Sequence, residues 1–131
     1  KDGKAFLILK IRTMREENQS SITLDPDPRV PRFGRMIRRS KLDEVPQLWN
    51  VLIGDMSLVG PRPDVPDYAD QLKGEDRIIL SVRPGITGPA TLKYRDEEKI
   101  LAAQNDPQKY NDEVIWRDKV EINKEYIITM K

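Results

Sequence analysis

Apolar positions in this 131-residue chain come in short bursts separated by polar stretches and by ten prolines. That rhythm predicts short elements joined by long loops rather than a helical bundle. Residues 5–11 (AFLILKI) mix aliphatic, β-branched and aromatic side chains and predict a buried strand, followed by a polar loop over residues 15–21. The pairs Asp25-Pro26 and Asp27-Pro28 predict a break, because each proline disfavours the α region for the residue before it. From Pro31, Phe33, Met36 and Ile37 recur at i, i+3, i+4 with Arg32, Arg35 and Arg39 on another face, the signature of a short amphipathic helix. A stronger helix follows, with Val45, Leu48, Trp49 and Leu52 at i, i+3, i+4, i+7 and Gly54 placed to end it. This pattern predicts that Leu48, Trp49 and Leu52 pack inward. Pro46 suits only a first helical turn or a kink, so the helix either begins near Asp43 or is capped at Ser40 and bent. Both alternatives put Asp43 and Glu44 in or near a first turn.

Beyond Gly54, residues 56–59 predict a short strand and Gly60-Pro61-Arg62-Pro63 a rigid turn. Val65, Tyr68, Ala69 and Leu72 predict a helix over residues 65–73, and residues 78–82 lead into a Gly/Pro-rich loop over residues 83–89. Residues 96–104 and 118–130 read as helices. The expected fold class is therefore α+β: a small, loop-rich single domain over residues 1–131, with several short helices and a few short strands.

Composition narrows the chemistry. Without Cys or His, the chain has no disulfide, thiolate or imidazole zinc site, cysteine nucleophile, or imidazole acid-base scheme. Carboxylates, Lys, Arg, hydroxyls or a hard metal remain. The longest aliphatic or aromatic run, residues 5–9, is far short of the ~20 residues that span a bilayer. Starting on Lys without a signal-peptide pattern, the chain reads as a piece of a longer protein. The 23 basic and 22 acidic residues leave +1, which argues against a dedicated nucleic-acid binder. Charge is nevertheless segregated: residues 29–41 carry six bases (Arg29, Arg32, Arg35, Arg38, Arg39, Lys41) and no acid. Such a segment is either a solvated face or a site for phosphate or an anionic lipid surface.

Asp43 and Glu44 lie between that segment and the proline-held Arg62. Acids in a first helical turn complement the helix dipole whatever else they do. On a helix, adjacent side chains point about 100° apart, so these carboxylates do not face each other as in a glycosidase. They can divide labour instead, one attacking phosphorus and the other holding a divalent cation such as Mg²⁺ together with substrate phosphates. Arg62 can clamp non-bridging oxygens.

The run from Ser40 through Leu42-Asp43-Glu44-Val45-Pro46-Gln47-Leu48 and Gly54-Asp55-Met56-Ser57-Leu58-Val59 to Gly60-Pro61-Arg62-Pro63 resembles the core of the bacterial sugar transferases, the monotopic phosphoglycosyl transferases. Gly3-Lys4-Ala5-Phe6, Lys10 to Met14, Arg32-Phe33-Gly34-Arg35 and Arg83-Pro84-Gly85-Ile86-Thr87-Gly88-Pro89-Ala90 extend the likeness over about residues 3–95. The resemblance implies transfer of a sugar 1-phosphate from a UDP-sugar to polyprenyl phosphate, releasing UMP, with Mg²⁺ as cofactor and a covalent aspartyl intermediate. It makes Asp43 the nucleophile and Glu44 its metal-linked partner. It sets Arg62, with Arg35, Arg38, Arg39 and Arg95, near phosphate, and makes Pro61, Pro63, Gly85, Thr87 and Gly88 the loop beside the site. It also implies the cytoplasmic face of the inner membrane for the whole protein, a soluble state for this piece, no nucleic-acid partner, and leaves a homo-oligomer open. The chain departs from the family pattern in lacking the N-terminal membrane helix and in carrying Thr91 in place of a common Gln. Asn123 stands where many members have an acid, and the stretch over residues 96–117 is longer. Two other readings fit the residues: a non-catalytic module for anionic membranes, and a Mg²⁺-dependent nucleotide-sugar hydrolase.

Overall fold

A computed structural model describes residues 3–15, 26–63, 68 and 71–130. Among them run six α-helices, α1 (Arg32–Arg39), α2 (Gln47–Leu52), α3 (Pro89–Lys93), α4 (Glu97–Ala102), α5 (Pro107–Tyr110) and α6 (Trp116–Thr129). Two strands, β1 (Ser57–Val59) and β2 (Gly85–Thr87), pair in parallel with Ser57 opposite Gly85 and Val59 opposite Thr87. Short 3₁₀ segments cover Leu42–Glu44 and Gly74–Ser81, and a π turn over Asn111–Ile115 joins α5 to α6. The α+β expectation holds, as do the helix after Pro31, the strand before Gly60 and the two C-terminal helices. Most of the helix expected over residues 65–73 lies outside the described residues.

The main hydrophobic cluster lies in the C-terminal half. Leu72 and Ile79 pack with Val120 and Ile127 of α6, flanked by Ile78, Leu80, Val82, Trp116 and Tyr126. Ion pairs fasten α6 to its surroundings: Lys124 to Asp76 at 2.7 Å, and Lys119 to Glu97 at 2.6 Å. The Tyr94 hydroxyl donates to Asp118 at 2.6 Å, and burial together with that carboxylate pushes the phenol up to about 12.

The N-terminal half departs from expectation in two places. Residues 5–11 belong to neither strand, and all but the half-buried Phe6 are exposed, Leu7 to 86%. On α2 the apolar stripe points outward: Leu48, Trp49 and Leu52 are exposed, Leu52 to 78%, whereas Gln47 and Asn50 are buried. Both inversions have one cause. Asn50 uses its side-chain amide as a strand would, accepting from Leu9 N–H at 3.1 Å and donating to the Leu7 carbonyl at 2.8 Å. Its own carbonyl accepts from the N–H groups of Asp55 (2.9 Å) and Met56 (3.1 Å). The polar face of α2 is therefore the one that binds the extended segment, because a buried amide must be paired and this segment offers the partners. The apolar stripe is left outside.

Three glycines bring β1, β2 and the loops after them together backbone to backbone. A Cβ on Gly85 would lie 2.2 Å from Gly60 N, and one on Gly88 would lie 2.3 Å from the Gly60 carbonyl oxygen. Gly34 does the same for α1, where a Cβ would meet the Thr13 carbonyl oxygen at 2.3 Å. Gly3, by contrast, faces open space. Gly85→Ala should therefore destabilise the protein by more than about 2 kcal/mol, while Gly3→Ala costs no more than the ~1 kcal/mol expected from its left-handed backbone. Urea unfolding of the two variants beside the wild type measures the contrast.

Candidate active site

Asp43 and Glu44 sit in the 3₁₀ turn Leu42–Glu44, with α2 beginning only at Gln47. Pro46 thus ends up as the residue capping α2, and neither continuous helix anticipated from the sequence forms. The chain enters the turn through Lys41, which adopts a left-handed backbone (φ 58°, ψ 18°) unusual for a side-chain-bearing residue. At three residues per turn, successive 3₁₀ side chains diverge by about 120°, so the two carboxylates face different partners.

Asp43 is 3% exposed. Its backbone carbonyl accepts from Ile11 N–H at 2.9 Å, and its Oδ2 pairs with Lys10 Nζ at 3.3 Å. Its other oxygen, Oδ1, is buried with no hydrogen-bond partner. A buried, unpartnered carboxylate oxygen costs free energy unless something binds there, which makes this atom the feature of the site most in need of a ligand. Glu44, also buried, accepts from Arg62 Nη2 at 2.7 Å. Burial pushes the Glu44 carboxyl upward, but the Arg62 hydrogen bond and charge, helped by Lys41 and Lys10, outweigh it and hold the group below its ordinary value of 4.5.

Arg62 is placed by the sheet. Pro61 accepts from Gly85 N–H through its carbonyl at 2.8 Å, and Gly60 N–H donates to the Thr87 carbonyl at 2.8 Å. The glycine contacts described above close the remaining gap, so Pro61, Gly85, Thr87 and Gly88 form one unit behind Arg62, whose side chain stays partly in solvent. Pro63 follows directly, half-buried.

The remaining basic residues are distributed differently. Arg38 pairs with Glu98 of α4 and thereby links α1 to that helix. Arg95, largely exposed, pairs with the adjacent Asp96 at 3.4 Å. Arg35 is half-buried and Arg39 exposed on α1. The side-chain partners of the two acids are Lys10 and Arg62, and these four arginines are not among them. Sequence reasoning missed Lys10 as a site residue and missed Asn50 altogether. The available signal for Asn50 was two polar residues three apart, Gln47 and Asn50, inside a strongly apolar helix.

Among the described residues no group of three or more acidic side chains converges into a ready-made metal cage. The oxygens present, free Oδ1 of Asp43 and the neighbouring Glu44 carboxylate, suit a hard cation that takes one or two carboxylates and completes its shell with phosphate and water, as Mg²⁺ does.

Because folding lowers the Glu44 pKa, its ionised form contributes stability above 4.5, and this fades as the pH drops through the lower folded value. Arg62→Gln should be less stable than wild type by about 1 kcal/mol at neutral pH. The gap should narrow as the pH falls below 4.5. Urea unfolding across that range reads it, and a gap that persists in acid would assign Arg62 a packing role instead.

Comparison with known proteins follows the same residues. The pattern described as bacterial sugar transferase matches residues 1–131. An uncharacterized sugar transferase of Bacillus subtilis is 46% identical over 95 residues, covering 72% of this chain and 47% of that protein. The UDP-glucose:undecaprenyl-phosphate glucose-1-phosphate transferase of Caulobacter vibrioides is 45% identical over 97 residues, 70% of this chain and 36% of that protein. The undecaprenyl-phosphate galactose phosphotransferase of Salmonella typhimurium is 49% identical over 74 residues, 56% of this chain and 16% of that protein. The chain thus spans about half or less of the length of these relatives. A match along every residue, with the acid pair, the Pro-Arg-Pro turn and the glycine loop brought together in space, makes this chain a member of the bacterial sugar transferase family.

Proposed function

We propose that the protein transfers a sugar 1-phosphate from a UDP-sugar to polyprenyl phosphate through a covalent intermediate on Asp43. The observation that carries the reading is the buried Asp43 with one free oxygen beside the Glu44–Arg62 pair. In the first step, Oδ1 of Asp43 attacks the phosphorus that bears the sugar. The bond from that phosphorus to the oxygen bridging the two phosphates breaks, and UMP leaves with that oxygen. In the second step, a phosphate oxygen of the lipid attacks the same phosphorus, the Asp43 carboxylate departs, and a polyprenyl diphosphosugar forms. Names of relatives that specify undecaprenyl phosphate and a UDP-sugar support these substrates.

Lys10 holds Oδ2 and leaves Oδ1 to react, and Arg62 stands where the charge of a transferring phosphoryl group needs a cation. Glu44 would hold Mg²⁺, which supplies charge neutralisation for the diphosphate when bound, and Oδ1 of Asp43 is left to the attack.

The setting we propose is the cytoplasmic face of the inner membrane, and the exposed surface supports contact with a membrane. Leu7, Phe33, Met36, Leu48, Trp49 and Leu52 are all exposed, more apolar surface than isolated side chains on a soluble protein. Phe33 and Met36 share α1 with Arg32, Arg35 and Arg39, the composition of a helix lying in an anionic interface. No helix among the described residues is long and apolar enough to cross a bilayer.

Two measurements test the reading. With Mg²⁺, polyprenyl phosphate and a panel of UDP-sugars, the protein should release UMP and show an intact-mass adduct of one sugar phosphate. Asp43→Asn should abolish both, and full activity in that variant would reduce Asp43 to a structural acid. Sustained turnover without lipid acceptor would make the protein a hydrolase. Separately, Arg35→Glu with Arg39→Glu should weaken binding to sedimented anionic liposomes by about thirtyfold or more, since each basic residue near such a surface contributes ~1 kcal/mol and the new carboxylates are repelled. Unchanged binding would remove α1 from the membrane contact.

A further inference from the structure

We infer that the apolar groove between the extended N-terminal segment and α2 holds the first prenyl units of the lipid acceptor. Phe6, Leu7 and Leu9 form one wall and Trp49 and Ile53 the other of an open trough of about 400 Å³. Asn50 lies between them, but it is 2% exposed and its amide is bonded to the Leu7 carbonyl and the Leu9 N–H, so it presents little to a polar ligand. Among the described residues Asp55 is the one charged residue on the lining, and a sugar or nucleotide would find too few free donors there. The groove accepts hydrocarbon.

Its position identifies which hydrocarbon. Leu9, on the groove wall, precedes Lys10, whose ammonium meets Asp43 Oδ2, and Ile11, whose N–H binds the Asp43 carbonyl. Leu9, Lys10 and Ile11 are consecutive, so the segment that walls the groove is also the one that is fastened to the proposed nucleophile. A trough of apolar side chains with a cation and a buried reactive carboxylate at one end complements an amphiphile with an anionic head and an unbranched path into an apolar tail. A polyprenyl phosphate whose phosphate must reach Asp43 has that shape. The unusual exposure of Trp49 and Ile53 then follows from a substrate covering them. This inference rests on the transferase reading and adds where the acceptor's tail lies.

Equilibrium binding of undecaprenyl phosphate to the protein in detergent micelles tests it, with Trp49→Ser, Ile53→Ser and Leu52→Ser compared with wild type. All three side chains are more than half exposed, so polar replacements keep the fold, which thermal unfolding verifies. The groove variants should bind about tenfold more weakly, the scale of losing one well-covered apolar side chain, and Leu52→Ser, outside the groove, should bind as wild type does. Phosphatidic acid, an acyl-chain phosphate, should compete poorly. Wild-type affinity in both groove variants overturns the inference. So does equal competition by phosphatidic acid, which would assign the groove to bilayer lipid. UMP release from the UDP-sugar panel is measured in parallel. If no sugar reacts while acceptor binding still depends on Trp49 and Ile53, the transferase reading fails and the groove stands.

Discussion

The N-terminal half of this protein depends on a single buried amide. Asn50 bonds the Leu7 carbonyl and the Leu9 N–H from its side chain while its own carbonyl receives Asp55 and Met56. One residue thereby holds the extended segment, ends α2 and starts the turn into β1. An apolar residue at this position would leave two backbone groups unpaired, a cost comparable to losing the hydrogen bonds outright. Because these partners are backbone groups of residues 7 and 9, the amide also sets the register in which Lys10 and Ile11 arrive at Asp43.

A second constraint positions the cation opposite. Gly60, Gly85 and Gly88 approach so closely that no side chain fits, which lets the Gly-Pro-Arg-Pro turn lie against the loop after β2. Arg62 is consequently fixed by backbone on two sides before its guanidinium meets Glu44. Asp43 and Glu44 diverge within one 3₁₀ turn, so each acid acquires its own cation from a different part of the chain, Lys10 from the N-terminal segment and Arg62 from the sheet. The pair is thereby differentiated: Glu44 is held ionised by Arg62, and Asp43 keeps one buried oxygen without a hydrogen-bond partner.

This division of labour also accounts for the lopsided distribution of apolar residues. The main hydrophobic cluster, built by α6 and the 3₁₀ segment Gly74–Ser81, stabilises the C-terminal half, while α1 and α2 carry their apolar stripes outward. Ion pairs such as Arg38 with Glu98 and Lys119 with Glu97 join elements where the core does not. The outward stripe leaves apolar surface open next to the buried, half-unpaired carboxylate of Asp43.

Local sequence by itself determined the elements whose signals are local: the helix from Pro31, the strand before Gly60, the C-terminal helices and the proximity of Asp43 to Glu44. Proline geometry, helical periodicity and adjacency need no distant partner. Which face of α2 is buried was not legible, because Val45, Leu48, Trp49 and Leu52 have the same spacing whether they meet a core or lie exposed. Residues 5–11 likewise carry strand composition, but their partner turned out to be a side-chain amide 41 residues away rather than another strand. The pairing of Lys10 with Asp43 and of Arg62 with Glu44, and the diversion of Arg38 to Glu98, were decided only in three dimensions. Charge composition says how many cations exist, and backbone-to-backbone packing says which of them reach the acids.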